Sequence, residues 1–268
     1  MKNRKSILLI IIAVIEFTLI LSGISYLMPK FPKEKPSVLL IDINGELMSK
    51  TIPGLYDLDG DNSSLTVSST DIVNALQEYE LDNRYKAFIL EIDSNGGNWD
   101  AGLEVIQQIY RMKKPVIAVV KDQALSTGYY IAAGTKKIYA NKLSHIADIG
   151  ILRIEPYKDN LGKWRVCKIT SVPYKSIFYD DCPGLDPRIL MEDKIVLSSM
   201  HDKFVYELSV LRNKSWEEMD KYADGNLYRG TAALQYGLID EIGDSQDAVK
   251  WLEKEFGMKL ELVYLREI

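Results

Sequence analysis

Three short, mostly apolar runs recur along this chain, and each leads through a turn into a helix-prone stretch. They are Val38 to Ile43, Ala87 to Ile92 and Pro115 to Val120. Runs this short, bounded by turn residues, fit strands buried on both faces. Asn44-Gly45 closes the first and Gly96-Gly97 follows the second. Thr70 or Asp71 is placed to cap a helix to about Tyr79, and Asn98 to cap one running to about Met112 with Leu103, Ile106 and Ile109 on one face. A helix after Ser126, a short strand at Lys137 to Ala140, a long helix from Glu192 to Leu211 and an amphipathic helix over 245–256 complete the pattern. Repeated strand–helix units predict an α/β fold with mainly parallel strands. Residues 52–68, rich in Gly, Asp, Asn and Ser, read as a loop. No linker or repeat interrupts residues 37–268, which predicts one domain there.

The N-terminal part has another character. Ile7 to Met28 is a 22-residue apolar run broken only by Glu16. As a helix it spans about 33 Å, enough to cross a bilayer. Lys2, Arg4 and Lys5 precede it, which places residues 1–6 in the cytoplasm and the following domain outside. A cleaved signal peptide, using the small residues Gly23 and Ser25, is the other reading; the length of the run favours an uncleaved anchor. Residues 29–36, with Pro29, Pro32 and Pro36, make a short stiff linker. Residues 1–35 carry six basic and two acidic side chains, a net +4, so the remainder carries −9 of the chain's −5. An acidic main domain argues against nucleic-acid binding. The two histidines, His145 and His201, and the two cysteines have no metal-site spacing. The sequence calls for no metal and no cofactor.

Two residues carry reactive potential. Ser126 lies between a strand and a helix, in Ala124-Leu125-Ser126-Thr127-Gly128-Tyr129-Tyr130, a context that lifts a hydroxyl onto a sharp turn. Lys175 lies in Val172-Pro173-Tyr174-Lys175-Ser176, after a further apolar stretch. A serine becomes a nucleophile when a base takes its proton, and a lysine of lowered pKa can be that base. Taken singly, a serine before a glycine is a turn and a lysine is a solvated surface residue.

Taken together, five segments in order resemble the signal peptide peptidase A family, membrane-bound Ser–Lys proteases of the Clp-protease/crotonase superfamily. Besides the Ser126 and Lys175 segments they are Asp93-Ser94-Asn95-Gly96-Gly97, Ile149-Gly150-Ile151, and Asp224-Gly225 with Gly230 and Ala233 through Gly243. The resemblance covers about residues 37–256. It implies a Clp/crotonase-like domain behind one transmembrane helix, with Ser126 as nucleophile and Lys175 as general base. Gly97 N–H and Thr127 N–H become the oxyanion donors, and Gly96, Trp99 and Tyr129 candidate substrate-binding residues. It implies released signal peptides or other short hydrophobic peptides as substrates, a homo-oligomeric ring, and a catalytic domain on the outer side of the cell membrane.

The chain departs from the family pattern at three points. Thr127 stands where the family has Gly, and Asn95 where it has Pro. Ala147-Asp148 stands where it has Gly-Ser, the serine of which orients the lysine. A carboxylate at position 148 close to Lys175 would raise the lysine pKa and weaken it as a base. Cys167 and Cys182 flank Lys175; they are either a disulfide bracing that segment, as an external location permits, or two buried thiols. Two rival readings stay open: a non-catalytic membrane-tethered peptide-binding or scaffold relative, and a crotonase-like acyl-CoA enzyme. The anchor and the Ser126/Lys175 pair speak against the latter.

Overall fold

The computed structural model describes residues 34–50, 66–159, 161–172 and 187–265. The chain divides between Lys35 and Pro36, and the unit from Pro36 onward is described below. Its first elements are β1 (Ser37–Asn44), β2 (Glu46–Met48), β3 (Thr66–Ser68), α1 (Ser69–Glu80), β4 (Tyr85–Ser94) and α2 (Trp99–Arg111). There follow β5 (Val116–Leu125), α3 (Thr127–Ala133), β6 (Lys137–Ala140), β7 (His145–Ala147), β8 (Leu152–Lys158) and β9 (Trp164–Thr170). The last are α4 (Pro187–Leu211), α5 (Trp216–Asp220), β10 (Leu227–Arg229), α6 (Gly230–Gln235), β11 (Glu241–Ile242), α7 (Ser245–Phe256) and β12 (Glu261–Tyr264).

The three apolar runs become β1, β4 and β5, neighbours in the middle of an eight-stranded sheet ordered β10-β7-β5-β4-β1-β12. The strand β6 lies beside the first half of β5, and β11 beside β6. Every pairing is parallel except that of β10 with β7. The runs are continuously apolar because both sheet faces are covered. Leu39, Ile41 and Ile43 of β1 join Phe88, Leu90 and Ile92 of β4 in a large core with residues of α1 through α4. Val38 and Leu40, on the alternate face, join Ala87, Ile89, Ile117 and Val119 against Ala248, Val249 and Leu252 of α7. Each large side chain buried in this way contributes roughly 1.5–3 kcal/mol.

Several boundaries differ from the sequence expectation. The cap of α1 is Ser68, whose hydroxyl accepts the Asp71 N–H, so the helix starts before Thr70. Along α2 the buried apolar residues are Val105, Ile106 and Ile109, with Leu103 only partly covered. The strand β5 continues through the polar Lys121-Asp122-Gln123, because its second half pairs with β7 from Gln123 to Leu125. Ile149 to Ile151 follow the end of β7 without strand pairing. An antiparallel ribbon, β8 with β9, was not foreseen. Among the described residues no helix is long and apolar enough to cross a membrane, and the run at 7–28 lies outside them. The loop expected at 52–68 also lies largely outside.

Candidate active site

The second half of β5 delivers the chain directly to Ser126, at the end of the sheet where β4 delivers Gly96 and Gly97. Ser126 has φ 49° and ψ −119° and immediately precedes α3. Such a conformation costs a non-glycine residue about 1–3 kcal/mol, so surrounding contacts must impose it. They are visible. The Ser126 N–H donates to Ala147 O at 2.7 Å, and its carbonyl accepts the Tyr130 N–H at 3.0 Å. This is the sharp strand-to-helix turn on which hydrolases expose a nucleophile.

The short helix α3 is fastened along its length. Tyr129 is fully buried, and its hydroxyl donates to Leu238 O at 2.8 Å. Burial holds that hydroxyl well above the usual tyrosine range, so it remains a donor. Tyr130 stacks on Trp99 with centroids 4.8 Å apart, and Phe204 of α4 meets both rings edge-on. The Tyr130 hydroxyl donates to the Glu207 carboxylate, and burial first, then that carboxylate, push its pKa up. Trp99 and Tyr129 are the residues that the resemblance makes candidates for a substrate pocket. The structure places Tyr129 in the core, with no surface to offer, and Trp99 within this aromatic cluster.

The glycine turn lies against Ser126. A Cβ on Gly96 would stand 2.8 Å from Ser126 Cβ, 3.1 Å from Leu125 O and 3.3 Å from Thr127 N, at a φ of +108°. A Cβ on Gly97 would stand 2.3 Å from Leu47 O, at a φ of +137°. Only glycine allows both the backbone conformation and the approach. The strand β2 braces the turn: Leu47 N–H donates to Gly96 O and Asn98 N–H to Leu47 O, each at 2.8 Å. Because N–H and C=O point oppositely across a trans peptide, the Gly97 N–H faces away from Leu47. Among the described residues neither the Gly97 nor the Thr127 N–H donates a hydrogen bond. Two N–H groups so placed suit an oxyanion.

Ala147 and Asp148 reach the site through the Ser126 N–H bond. Both hold positive φ, 89° and 49°. The Asp148 N–H donates to Asn226 O at 3.0 Å, which ties this segment to the turn before β10. A left-handed Ala147 gives a physical reason for a glycine in the resembled motif. The C-terminal signature also acquires a role: Leu238 O receives Tyr129, and Asp240 receives Arg212 at 2.7 Å from beneath α3. Neither link has a sequence signal, since each joins residues far apart in the chain. Cys167, buried on β9, is disulfide-bonded. Lys175 and Cys182 lie outside the described residues. No cluster of His, Cys, Asp and Glu that could hold a metal ion occurs among the described residues.

A parallel α/β sheet presenting a serine on a strained turn beside a paired-glycine turn is the arrangement of a Clp-protease-type domain. The Clp protease family model matches residues 61–147, the stretch containing both the glycine turn and Ser126. The chain belongs to peptidase family S49, whose model matches residues 108–259. A relative in Enterococcus faecium, provisionally named signal peptide peptidase SppA, is 28% identical over 229 residues, covering 81% of this chain and 63% of the relative. Protease 4 of Haemophilus influenzae is 29% identical over 206 residues, 74% of this chain and 33% of its own length. The chloroplastic serine protease SPPA of Arabidopsis thaliana is 26% identical over 186 residues, 66% of this chain and 27% of that one. The chain therefore spans less than two thirds of the length of each of these three.

Proposed function

We propose that this chain is a membrane-anchored serine endopeptidase that cuts released signal peptides or other short hydrophobic peptides with a Ser126–Lys175 dyad. The observation that carries the reading is the strained Ser126 turn packed directly on Gly96. In the reaction, the neutral Lys175 amine takes the Ser126 hydroxyl proton as Oγ adds to a peptide carbonyl carbon. The oxyanion so formed is received by the Gly97 and Thr127 N–H groups. Collapse breaks the C–N bond, and the leaving amine takes the proton from Lys175. Water, activated by the same lysine, then hydrolyses the acyl-enzyme and frees Ser126. Residues 7–28 act as the anchor, with residues 1–6 in the cytoplasm and the peptidase domain outside, assembled as a homo-oligomeric ring. The relative's name supports the substrate class, and the basic N-terminus supports the orientation.

A fluorophosphonate probe tests the nucleophile: it is expected to label wild type at Ser126 and to spare Ser126→Ala. Lys175→Ala is expected to lose peptide cleavage while retaining the wild-type melting temperature. Full cleavage by either variant removes the dyad. The non-catalytic alternative rests on Asp148, which the Ser126–Ala147 bond brings to the site. If Asp148 holds Lys175 protonated, Asp148→Ser is expected to move the rising limb of the pH–rate profile to lower pH. Wild-type inactivity at every pH, unrelieved by Asp148→Ser, favours a peptide-binding scaffold.

A further inference from the structure

Thr127, where the family pattern has glycine, makes a contact that a glycine cannot make. Its hydroxyl donates to Gly97 O at 3.0 Å, across thirty residues of sequence. Its side chain is buried at 3% exposure, and its methyl lies 2.5 Å from where a Cβ on Gly102 would stand. Thr127 thus has a prepared seat: α2 presents a glycine in its first turn where any larger residue would collide with the methyl.

The contact closes a frame around the glycine turn. The peptide between Gly96 and Gly97 is held by Leu47 N–H on Gly96 O. The next peptide is held at its N–H by Leu47 O and at its carbonyl by the Thr127 hydroxyl. The two fixed planes flank Gly97, whose own torsions would otherwise be freest in the turn. The frame connects the loop carrying one candidate oxyanion donor to the residue carrying the other.

We infer that the Thr127 hydroxyl is a positioning residue that locks the Gly97 and Thr127 N–H groups into one unit, and that Gly102 is its obligate partner. The inference rests on the reading of Ser126 as nucleophile. The residue at 127, which departs from the family pattern, then stiffens the oxyanion site. The expected behaviour follows from which half of the side chain is removed. Thr127→Val keeps the branched shape and loses the hydroxyl, so the Gly97 carbonyl loses its tether. Thr127→Ser keeps the hydroxyl and loses the methyl, which frees the space over Gly102.

The test uses the full chain in detergent or nanodiscs, with a hydrophobic peptide substrate. Thr127→Val is expected to lower kcat between about tenfold and a hundredfold with KM within about twofold, as for a displaced transition-state donor. Thr127→Ser is expected to stay within about threefold of wild type, since only a group needed in the transition state is being read. Gly102→Ala is expected to cost activity and melting temperature in the wild-type background and to regain most of both when combined with Thr127→Ser. Wild-type kcat in Thr127→Val, or equal loss from Gly102→Ala in both backgrounds, overturns the inference. Amide hydrogen exchange at Asn98 reads the frame without catalysis: Thr127→Val is expected to exchange faster there than wild type, and unchanged exchange also overturns it. If wild type cleaves nothing and resists the fluorophosphonate, the reading of Ser126 fails, and the exchange and melting data alone decide the frame.

Discussion

Adding one methyl group at Gly96 is the sharpest perturbation this site offers. The new Cβ meets Ser126 Cβ at 2.8 Å, closer than real Cβ contacts come, together with Leu125 O at 3.1 Å. Both obstacles are parts of the turn itself, so relief requires the turn to move. Two costs combine. Placing an L-residue at φ +108° costs about 1–2 kcal/mol. Overpacking a well-filled site costs about 1–3 kcal/mol more. Gly257 separates them, because it too has positive φ, +63°, but a Cβ there meets nothing within 4 Å. Gly257→Ala therefore measures the cost of an L-residue at positive φ, in the left-handed helical well, without any clash. For a domain of this size, each kcal/mol lowers the melting temperature by about 2–4 °C. Gly257→Ala is expected to fall by a few degrees and keep full reactivity. Gly96→Ala is expected to fall by roughly 5–15 °C on the same scale. It is also expected to lose about a hundredfold in fluorophosphonate labelling of Ser126, since a misplacement near 1 Å costs that much. The assay is a thermal melt with a parallel labelling time course, run below the melting temperature of the weaker variant. Equal melting losses in the two variants, or wild-type labelling in Gly96→Ala, would refute the argument that the glycine turn is packed on Ser126.

Tyr129→Phe removes the buried hydroxyl from Leu238 O and leaves that carbonyl unpaired, so a loss of about 1–3 kcal/mol is expected in chemical denaturation. Tyr206→Phe, on the exposed side of α4, is the control and is expected to be neutral. Asp93 has its carboxyl pKa raised by burial first and by Asp122 next. The native state therefore holds more proton than the unfolded chain in the window from the unfolded value, about 3.9, up to the raised one. Stability from this group falls as pH rises through that window. Asp93→Asn is accordingly expected to melt higher than wild type at pH 7, with the gap closing below about pH 4; a gap that persists there would contradict the assignment.

How far the sequence could be read depended on whether a feature is local. The buried strands declared themselves because both faces of β1, β4 and β5 are covered, which leaves no polar alternation. The cap at Asn98 was legible for the same local reason: its side chain accepts from Asp100 and Ala101 N–H, two and three residues on. At α1 the run Ser68-Ser69-Thr70-Asp71 offers four capping side chains, and propensity cannot rank them; the burial of Ser68 and Ser69 decides it. The apolar run ends at Val120 because Lys121 and Asp122 are exposed and sit at a register shift, while pairing resumes at Gln123 with β7. The strand β10 is three residues long and gains its place only from β7. At the site, the family resemblance pointed to Gly96 and Gly97. Nothing in sequence pointed to Leu47 as their brace or to Glu207 beneath Tyr130, which are contacts of tertiary packing.

The placement of β1 bears on when this protein can exist as a folded object. It lies between β4 and β12, and its Ser37 to Leu40 stretch pairs with Glu261 to Tyr264. One neighbour is made soon after it; the other is made only after the strands and helices between them have been translated. Until residue 264 emerges, one flank of β1 stays open, and Leu260, which packs with Val38 and Leu40, has not yet arrived. Pairings this distant in sequence are slow to close. A nascent chain is thereby kept from a finished sheet, and from the turn that the sheet positions, until β12 has been made. The order of synthesis acts as a timer on this domain, set by the position of a single strand.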